Sequence, residues 1–544
     1  MRLSCTALQR LPRASAFRTA ALRRSKSTTT AGAAWSDSTT WNTSRQFLRK
    51  RRALAKKGGR LRAIGFPFLG GVLGALALPP FNLFLLCFVS LVPLLLGLDG
   101  ASGRAAFARG YLYGLGFGSV NIFWLAQFVT KWTHSPWLGS VPWLIVVALF
   151  ALYFGLFAYA SQKLIAVKAY WAIPLVWAGV EAFRSMIPYL YFPWALSASA
   201  LVPLPPLLQP AWWFGPYMLS AWICWINVIA AMMMKAEAAK TTRRYVLVGV
   251  GVAVASILSF LAPPSGPTAN VIAAQPGVDL AYLPKDEQMR RLSESVPDLL
   301  RVGEASHRDL IVLPEGIGTA YGEKAPVLPF EVSGSTPVLV GAQRHAEVGS
   351  YQSLYAWDGK TWQYADKVRL VIFGEYVPFR DSLGFVDSFN IPSGDLIAAT
   401  EPKTLTIGKL RVGGLVCFEA LFEEVARHHA ADGANLLAVI SMDDWYHGTG
   451  AIGNLEAAAV LRAVENRLPL VRSSPLGRSV VIDALGRIVA QTEPDQPAIA
   501  RADVVLGQPS RVLPLIHEIA RWVALLALVA SILFRFTSRN ADSP

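Results

Sequence analysis

The chain has 544 residues, of which 53% are hydrophobic and only 16% are charged, with 17 Trp and a mean hydropathy of +0.38. These values exclude an ordinary soluble protein and are typical of an integral membrane protein. The formal charge is +15, but the excess lies near the N-terminus and in short loops between apolar runs. The charge therefore indicates membrane topology and gives no reason to expect a nucleic-acid partner.

Residues 1–62 form a basic leader or cytoplasmic tail. Positions 1–34 carry Arg and Lys among many Ser, Thr and Ala residues, and the first acidic residue is Asp37. This stretch lacks the apolar core of a secretory signal. Its composition is typical of an organellar transit peptide, although a disordered cytoplasmic tail or an over-extended start codon would look the same.

Eight apolar runs follow, and each is close to the roughly 20 residues that a helix needs to cross the hydrocarbon. We predict transmembrane helices 1 to 7 within residues 63–261 and helix 8 at 514–536, before a tail at 537–544. The first two runs are short and joined only by Pro79-Pro80, so one of them is expected to be tilted or re-entrant. The runs are 63–78, 81–98, 106–129, 141–165, 171–187, 211–234, 245–261 and 515–536.

Positive charge orients these runs if all eight span the membrane, because Lys and Arg are enriched in cytoplasmic loops. Residues 262–513 would then lie outside the cytoplasm, at a bacterial-type inner membrane or, given the leader, at an organellar membrane. The basic residues that fall on one side are the tract 45–62, Arg104, Arg109, Lys163, Lys168, Lys235, Lys240, Arg243, Arg244, Arg535 and Arg539.

Residues 262–513 read as a mixed α/β layered domain of roughly 250 residues, large enough to bury its own core. Hairpins are predicted around Asp358-Gly359 and around Gly486, and helices at 286–301, 421–431 and 453–467. Buried strands are predicted at 270–274, 310–313, 338–343, 413–417 and 436–440.

Two side chains with catalytic potential follow predicted strands. Pro314 ends the first of these strands and places Glu315 at its carboxyl end, where α/β sheets collect functional groups. Cys417 stands in the same way at the carboxyl end of the predicted strand 413–417 and is the only cysteine of the polar segment. A predicted helix at 418–431 would place the thiol at a helix N-terminus, whose partial positive charge lowers thiol pKa values.

Lys367 and Glu375 stand eight positions apart after the first hairpin. Singly, each of these groups has an ordinary structural explanation. Together they form a set in which a carboxylate deprotonates the thiol, a lysine stabilises an oxyanion and the thiol accepts an acyl group. The set needs no cofactor and no histidine; His428, His429 and His447 read as surface residues, and no metal-ligand spacing is seen.

The motifs Pro-Glu315-Gly, Lys367 with Phe-Gly-Glu375-Tyr-Val-Pro, and Cys417-Phe-Glu419 resemble the Glu-Lys-Cys triad of the nitrilase superfamily. With its membrane part, the chain is similar to the apolipoprotein N-acyltransferase family. The resemblance extends through 76–81, 181–184 and 192–194 in the apolar half. It implies a polytopic α-helical membrane bundle of about eight spans that carries an extracytoplasmic nitrilase-like αββα sandwich between its last two spans.

The resemblance also implies a two-step acyl transfer from a phospholipid donor to the α-amine of a diacylglyceryl-cysteine lipoprotein or lipopeptide. Glu315, Lys367 and Cys417 would be catalytic, and Glu375 and Glu419 would support them. Phe418, Trp445 and Tyr446 would line an acyl pocket or a lid. A membrane-tethered amidase and an inactive scaffold for lipid-modifying enzymes stay open as alternatives.

The chain departs from the family pattern outside the triad. It has Met442-Asp443-Asp444-Trp445-Tyr446 where the family has Asn-Asp-Ala-Trp-Phe, and Asn454-Leu455 replaces Gln-His. Ser474-Pro475 replaces Thr-Asn, and Tyr282 is the aromatic residue nearest to a family tryptophan. These differences bear on the acceptor and its recognition.

Overall fold

The computed structural model of the chain describes residues 64–188, 191–305, 308–332, 334–380, 395–508 and 510–534. The leader, the tract 45–62, Arg535, Arg539 and the tail lie outside these residues, so the predictions made for them stay predictions. The helices of the apolar part are α1 (Ile64–Leu76), α2 (Val92–Gly97), α3 (Gly103–Asn121), α4 (Phe123–Thr133), α5 (Pro136–Ala166), α6 (Ile173–Met186), α7 (Pro210–Phe214), α8 (Pro216–Met234), α9 (Ala239–Phe260) and α13 (Val512–Leu533).

Helix length supports fewer spans than the eight apolar runs suggest. Among the described residues, α5, α8, α9 and α13 are long and apolar enough to cross a membrane, and α3 with α4 makes a fifth candidate bent by 46°. The run 81–98 divides into a 3₁₀ turn (Phe84–Phe88) and α2. Helix α6 has 14 residues and covers about 21 Å at 1.5 Å per residue, less than the ~30 Å hydrocarbon thickness. The count of eight is therefore not confirmed.

The basic loops of the helical part lie together at one end of the bundle. Lys235 Nζ is 3.3 Å from the Asp99 carboxylate, and Lys168 Nζ is 3.8 Å from that of Glu237. Lys163 donates to a carbonyl at the end of α13. Helices α9 and α13, with 22 residues each, run about 33 Å between this end and the polar segment. The polar segment therefore lies at the opposite end from the basic loops.

The polar segment folds into two β-sheets. The first sheet has seven strands in the order β13-β1-β2-β4-β5-β6, with β3 paired to β4, and the second has six in the order β12-β11-β10-β9-β8-β7. The strands are β1 (Thr268–Gln275), β2 (Leu310–Val312), β3 (Gly318–Tyr321), β4 (Val338–Ala346), β5 (Gly349–Trp357), β6 (Trp362–Asp366), β7 (Leu405–Ile407), β8 (Leu410–Val416), β9 (Leu436–Ile440), β10 (Leu470–Ser473), β11 (Val480–Ile482), β12 (Ile488–Gln491) and β13 (Ala498–Val505).

Alternating side chains bury both faces of each sheet. On β1, Val271 enters the core between the sheets, whereas Ile272 packs with α10 (Lys285–Ala305) on the outer face. On β9, Ala438 faces the first sheet, and Val439 packs towards α11 (Glu423–Ala431) and α12 (Ala451–Asn466). The layers therefore run helix, sheet, sheet, helix, as expected for a nitrilase-like domain.

The five predicted strands and both hairpins are observed, with β5 paired to β6 and β11 to β12. Strands β3, β7, β10 and β13 were not predicted. The prediction of a single helix at 418–431 is wrong. A 3₁₀ turn occupies Cys417–Leu421, Phe422 has an extended backbone with φ −94° and ψ 111°, and α11 begins only at Glu423. The break buries the Phe422 ring completely.

The helical part and the two sheets share direct contacts. Asn454 on α12 donates to the carbonyl of Pro79, in the loop after α1, at 3.3 Å. On α13, Arg521 lies 3.2 Å from Glu423 of α11. Glu518, also on α13, pairs with Arg427 of α11. The last membrane helix is thus joined by ion pairs to the helix that follows Cys417.

The substitution Gly179→Ala tests the packing of α6 on α13. A Cβ at this position would overlap the backbone carbonyl of Ala524, so Gly179→Ala must push the two helices apart. We expect a destabilisation of about 1–3 kcal/mol, seen as a lower thermal midpoint in detergent. Gly251→Ala on α9, where nothing lies within 4 Å, is the matched control and should keep the wild-type midpoint. Equal midpoints for both variants would contradict the close packing.

Candidate active site

The structure brings Glu315, Lys367 and Cys417 together at the ends of three strands. Glu315 follows β2, Lys367 directly follows β6 and Cys417 directly follows β8. Gly341 on β4 permits the turn at Glu315, because a Cβ there would lie 2.5 Å from the Glu315 Cα. All three side chains are at most 8% exposed. The predicted placement of Glu315 and Cys417 at strand ends is thus observed.

Lys367 is the buried cation of the site, with an exposure of 1%. Its Nζ donates to Glu375 Oε1 at 2.6 Å and lies 3.9 Å from Glu315 Oε1. Burial favours the neutral amine and would lower the pKa of Lys367, but the carboxylates of Glu375 and Glu315 outweigh burial and raise it. Lys367 is therefore a fixed positive charge. The second Glu375 oxygen accepts from the Val371 amide at 2.9 Å, which orients this carboxylate.

Cys417 has a left-handed backbone, with φ +52°, at the start of the 3₁₀ turn. That conformation costs a non-glycine residue about 1–2 kcal/mol, so the surrounding fold must hold it. The prediction that a helix N-terminus lowers the pKa of the Cys417 thiol is wrong. Burial, helped by the negative charge of Glu315, raises the pKa of Cys417 to about 12, although Lys367 opposes the shift. The thiol of the free protein is protonated.

Glu315 is positioned to take that proton. Its carboxylate is hydrogen-bonded to the Cys417 thiol. Burial, the largest cause, raises the pKa of Glu315 to about 7, and Glu375 adds to the shift, while Lys367 and the thiol hydrogen bond lower it. Near neutral pH the carboxyl group can therefore both accept and return a proton.

Glu419 joins the two loops that carry Lys367 and Cys417. Its Oε1 accepts from the amides of Val368 at 2.7 Å and Arg369 at 3.0 Å, and its Oε2 accepts from Val416 at 2.8 Å. The side chain is 2% exposed, and burial raises its pKa, opposed by Lys367 and these amides. Glu419 therefore fixes the spacing of the two loops.

Aromatic side chains cover one side of this site. The Tyr446 ring packs on Trp124 and Phe128 of α4 at centroid distances of 5.4 and 5.7 Å. Trp445 stacks on Trp132 of the same helix at 5.3 Å. Both lie in the 3₁₀ turn Asp443–Tyr446 after β9.

Phe418 packs with Phe422 at 5.3 Å and lies against the core of the helical part. The three residues predicted to bind substrate are therefore placed where the sheets meet the membrane helices.

Sequence reasoning missed a buried ion pair beside the thiol. Asp443 is paired with Arg472 of β10, and both are fully buried. Asp443 also accepts from Ser441, whose hydroxyl is hydrogen-bonded to Cys417. Asp443 follows β9 as Glu315 follows β2, so the strand-end pattern was a signal for it.

The prediction that His429 is a surface residue is wrong, whereas His428 is exposed as predicted. The His429 ring is 1% exposed and lies between Gly414 O and Thr404 Oγ1, each at 3.0 Å. Burial lowers its pKa to about 4. A Cβ at Gly413 would overlap this ring, which explains the glycine in β8.

The arrangement supplies a proton acceptor, a fixed cation and a nucleophile in one enclosed place. These are the parts needed for nucleophilic acyl transfer through a thioester. Among the described residues, no group of three or more His, Cys, Asp or Glu side chains is arranged to hold a metal ion.

Two family models match successive parts of the chain. The apolipoprotein N-acyltransferase N-terminal domain matches residues 70–229, and carbon-nitrogen hydrolase matches residues 343–510. Among solved structures, a carbon-nitrogen hydrolase from Helicobacter pylori G27 is similar over 48% of this chain and 94% of its own length, with 16% identity and a TM-score of 0.33.

Curated relatives cover both parts at once. The apolipoprotein N-acyltransferase of Geobacter metallireducens is 30% identical over 494 residues, which are 86% of this chain and 94% of the relative. That of Allorhizobium ampelinum is 28% identical over 478 residues, or 80% and 89% of the two chains. Because the helical part and the two-sheet domain are matched together over nearly the whole relative, the chain belongs to the apolipoprotein N-acyltransferase family.

Proposed function

We propose that the protein N-acylates the N-terminal diacylglyceryl-cysteine of lipoproteins, using a phospholipid as acyl donor and Cys417 as the carrier. The observation that carries the proposal is the enclosed group of Glu315, Lys367 and Cys417, in a chain whose relatives are named apolipoprotein N-acyltransferases. The contact of Trp445 and Tyr446 with helix α4 supports access from the bilayer, where both substrates reside.

In the first half-reaction, Cys417 Sγ attacks the carbonyl carbon of a phospholipid ester while its proton passes to Glu315. Lys367 stabilises the oxyanion of the tetrahedral intermediate with a charge that is already in place. The carbon–oxygen bond to the glycerol then breaks, and the departing alkoxide takes the proton from Glu315. The products are a Cys417 thioester and a lysophospholipid.

In the second half-reaction, the α-amine of the acceptor attacks the thioester carbonyl. Glu315 removes a proton from this amine, Lys367 again stabilises the oxyanion, and the carbon–sulfur bond breaks. Cys417 leaves as thiolate and recovers the proton from Glu315. The high pKa of the buried thiol drives this reprotonation, which restores the free enzyme and releases an amide.

We further propose that the two-sheet domain lies outside the cytoplasm. The domain and the basic loops occupy opposite ends of α9 and α13, and basic loops favour the cytoplasmic side. Lys131, at the end of α4, is the exception among the outer loops.

Cys417→Ser tests the carrier role. Mass spectrometry of the wild-type protein incubated with phospholipid should detect an acyl adduct on Cys417, and a diacylglyceryl-cysteine peptide should remove the adduct and yield an amide. The serine variant should show neither product, whereas Cys87→Ser and Cys224→Ser should keep both, because these thiols lie in the helical part. Free fatty acid without amide would identify a hydrolase, and full activity of Cys417→Ser would rule out the thioester.

The rate of adduct formation should fall as the pH drops below about 7. Glu315 accepts the thiol proton only as a carboxylate, and its raised pKa means that the protonated, inactive form accumulates below that pH. Below that pH the rate should fall by about tenfold per pH unit. The apparent pKa of this fall belongs to Glu315, Lys367 and Cys417 together, because the three groups interact. Glu315→Gln should remove most of the activity, and the remaining rate should no longer fall below about pH 7. A flat wild-type profile between about pH 5 and 8 would exclude Glu315 as the base.

A cysteine at position 335 tests the orientation in intact cells or spheroplasts. Ser335 lies in the two-sheet domain and is exposed, so Ser335→Cys should react with a membrane-impermeant maleimide added from outside. A cysteine replacing Lys240, near the start of α9, should react only after permeabilisation. The reverse pattern would place the domain in the cytoplasm.

A further inference from the structure

Tyr191 belongs to the helical part but contacts both loops of the candidate site. It lies in the segment that follows α6, outside the two sheets. Its hydroxyl donates to the carbonyl of Leu370 at 2.7 Å and lies 3.4 Å from the Tyr376 hydroxyl. Its ring packs edge-on against Phe422 at a centroid distance of 5.3 Å and an angle of 77°.

Both contacts of Tyr191 lie in the loops that carry Lys367 and Cys417. Leu370 lies between Lys367 and Glu375 in the chain, and the following amide, that of Val371, donates to Glu375. A shift of the Leu370 carbonyl would therefore move the Lys367–Glu375 pair. Phe422 directly follows the 3₁₀ turn that begins at Cys417, so the ring of Tyr191 also supports the nucleophile loop.

The segment that carries Tyr191 is itself held firmly by α6. The amide of Phe192 donates to Arg184 O at 2.8 Å, and the Arg184 guanidinium donates to Ala195 O at 2.9 Å. Glu181 accepts from the Ser197 amide at 2.9 Å and from its hydroxyl at 2.8 Å. The segment that begins with Tyr191 is thus tied to α6 by hydrogen bonds at Phe192, Ala195 and Ser197.

We propose that Tyr191 is a positioning residue that sets the Lys367 ammonium relative to Cys417, so that the helical part completes the acyl-transfer site. The inference rests on the proposed function for the reaction that it supports. It does not require Tyr191 to touch substrate. The hydroxyl acts on the Lys367 loop and the ring acts on the Cys417 loop, so the two contributions are separable by substitution.

Tyr191→Phe deletes the hydroxyl contact and keeps the ring on Phe422. Loss of one hydrogen bond that aligns the cation should lower kcat for acyl transfer about tenfold and leave KM unchanged. Tyr191→Ala removes both contacts and should lower kcat further. The matched control is Tyr170→Phe, which deletes a hydroxyl hydrogen bond to Glu237, of 2.8 Å, at the other end of the bundle. It should keep the wild-type kcat.

Alkylation of Cys417 by iodoacetamide gives a readout that does not depend on acyl transfer. Misplacement of Lys367 should shift the pH profile of alkylation in Tyr191→Phe, because the ammonium is the cation that stabilises the thiolate, while Tyr170→Phe should keep the wild-type profile. Thermal midpoints of both variants should match the wild type.

A Tyr191→Phe protein with wild-type kcat and alkylation profile would overturn the proposal. So would a loss of activity that follows a lower midpoint while the profile of the folded protein is unchanged. If the wild type transfers no acyl group, the proposed function fails, and the alkylation profile alone decides the role of Tyr191.

Discussion

The rest of the site depends on the burial of the Lys367 ammonium. An unpaired charge in a protein interior costs several kcal/mol, so an ammonium with 1% exposure requires carboxylates within reach. Glu375 and Glu315 meet this need, and they come from different loops. Glu375 lies in the same loop as Lys367, whereas Glu315 follows β2, so the ion pairs join two segments of the chain, residues 367–375 and the turn at Glu315. Cys417, the proposed nucleophile, lies in the same enclosure, whose geometry the ion pairs of Lys367 already stabilise.

The enclosure contains more carboxyl groups than Lys367 can neutralise, and each excess negative charge is compensated differently. Asp443 is paired with Arg472, and Glu419 accepts three backbone amides. Burial raises the pKa of Glu315 to about 7, because Lys367 at 3.9 Å and the hydrogen bond with the thiol offset the effect of burial only in part. The residue with an incompletely compensated charge is the one adjacent to the thiol. Its place beside the thiol allows Glu315 to accept the thiol proton, whereas the carboxyl groups of Asp443 and Glu419 are held by Arg472 and by three backbone amides.

The buried thiol fits a mechanism in which deprotonation accompanies attack. With a pKa raised to about 12, Cys417 does not rest as a thiolate, and a base in hydrogen-bonding contact replaces the helix-end effect. In the proposed mechanism, the same burial would exclude water from the Cys417 thioester, which would favour transfer to an amine over hydrolysis. The aromatic contacts of Trp445 and Tyr446 with α4 extend this exclusion to the membrane side.

The membrane character of the chain, the five central strands and the residue types of the site could be predicted from the sequence alone. These features follow from local patterns: runs of apolar residues, short buried strands, and polar residues at strand ends. Glu315 and Cys417 were found in this way, because a strand followed by a functional side chain is visible within a few residues. Glu375 and Lys367 were found from their motif, which the family resemblance made specific.

How these elements and residues interact could not be predicted from local patterns, because it depends on tertiary contacts. The break at Phe422, the raised pKa of Cys417 and the buried ring of His429 arise from groups that are distant in sequence or from burial itself. Helix length, set by interruptions such as the 3₁₀ turn after Pro80, reduced the number of helices able to span. Tyr191 carries no sequence signal, because its hydrogen bond joins residues 179 positions apart. Local pattern fixes elements and residue types, whereas pKa values and loop positions depend on contacts that form only when the chain is folded.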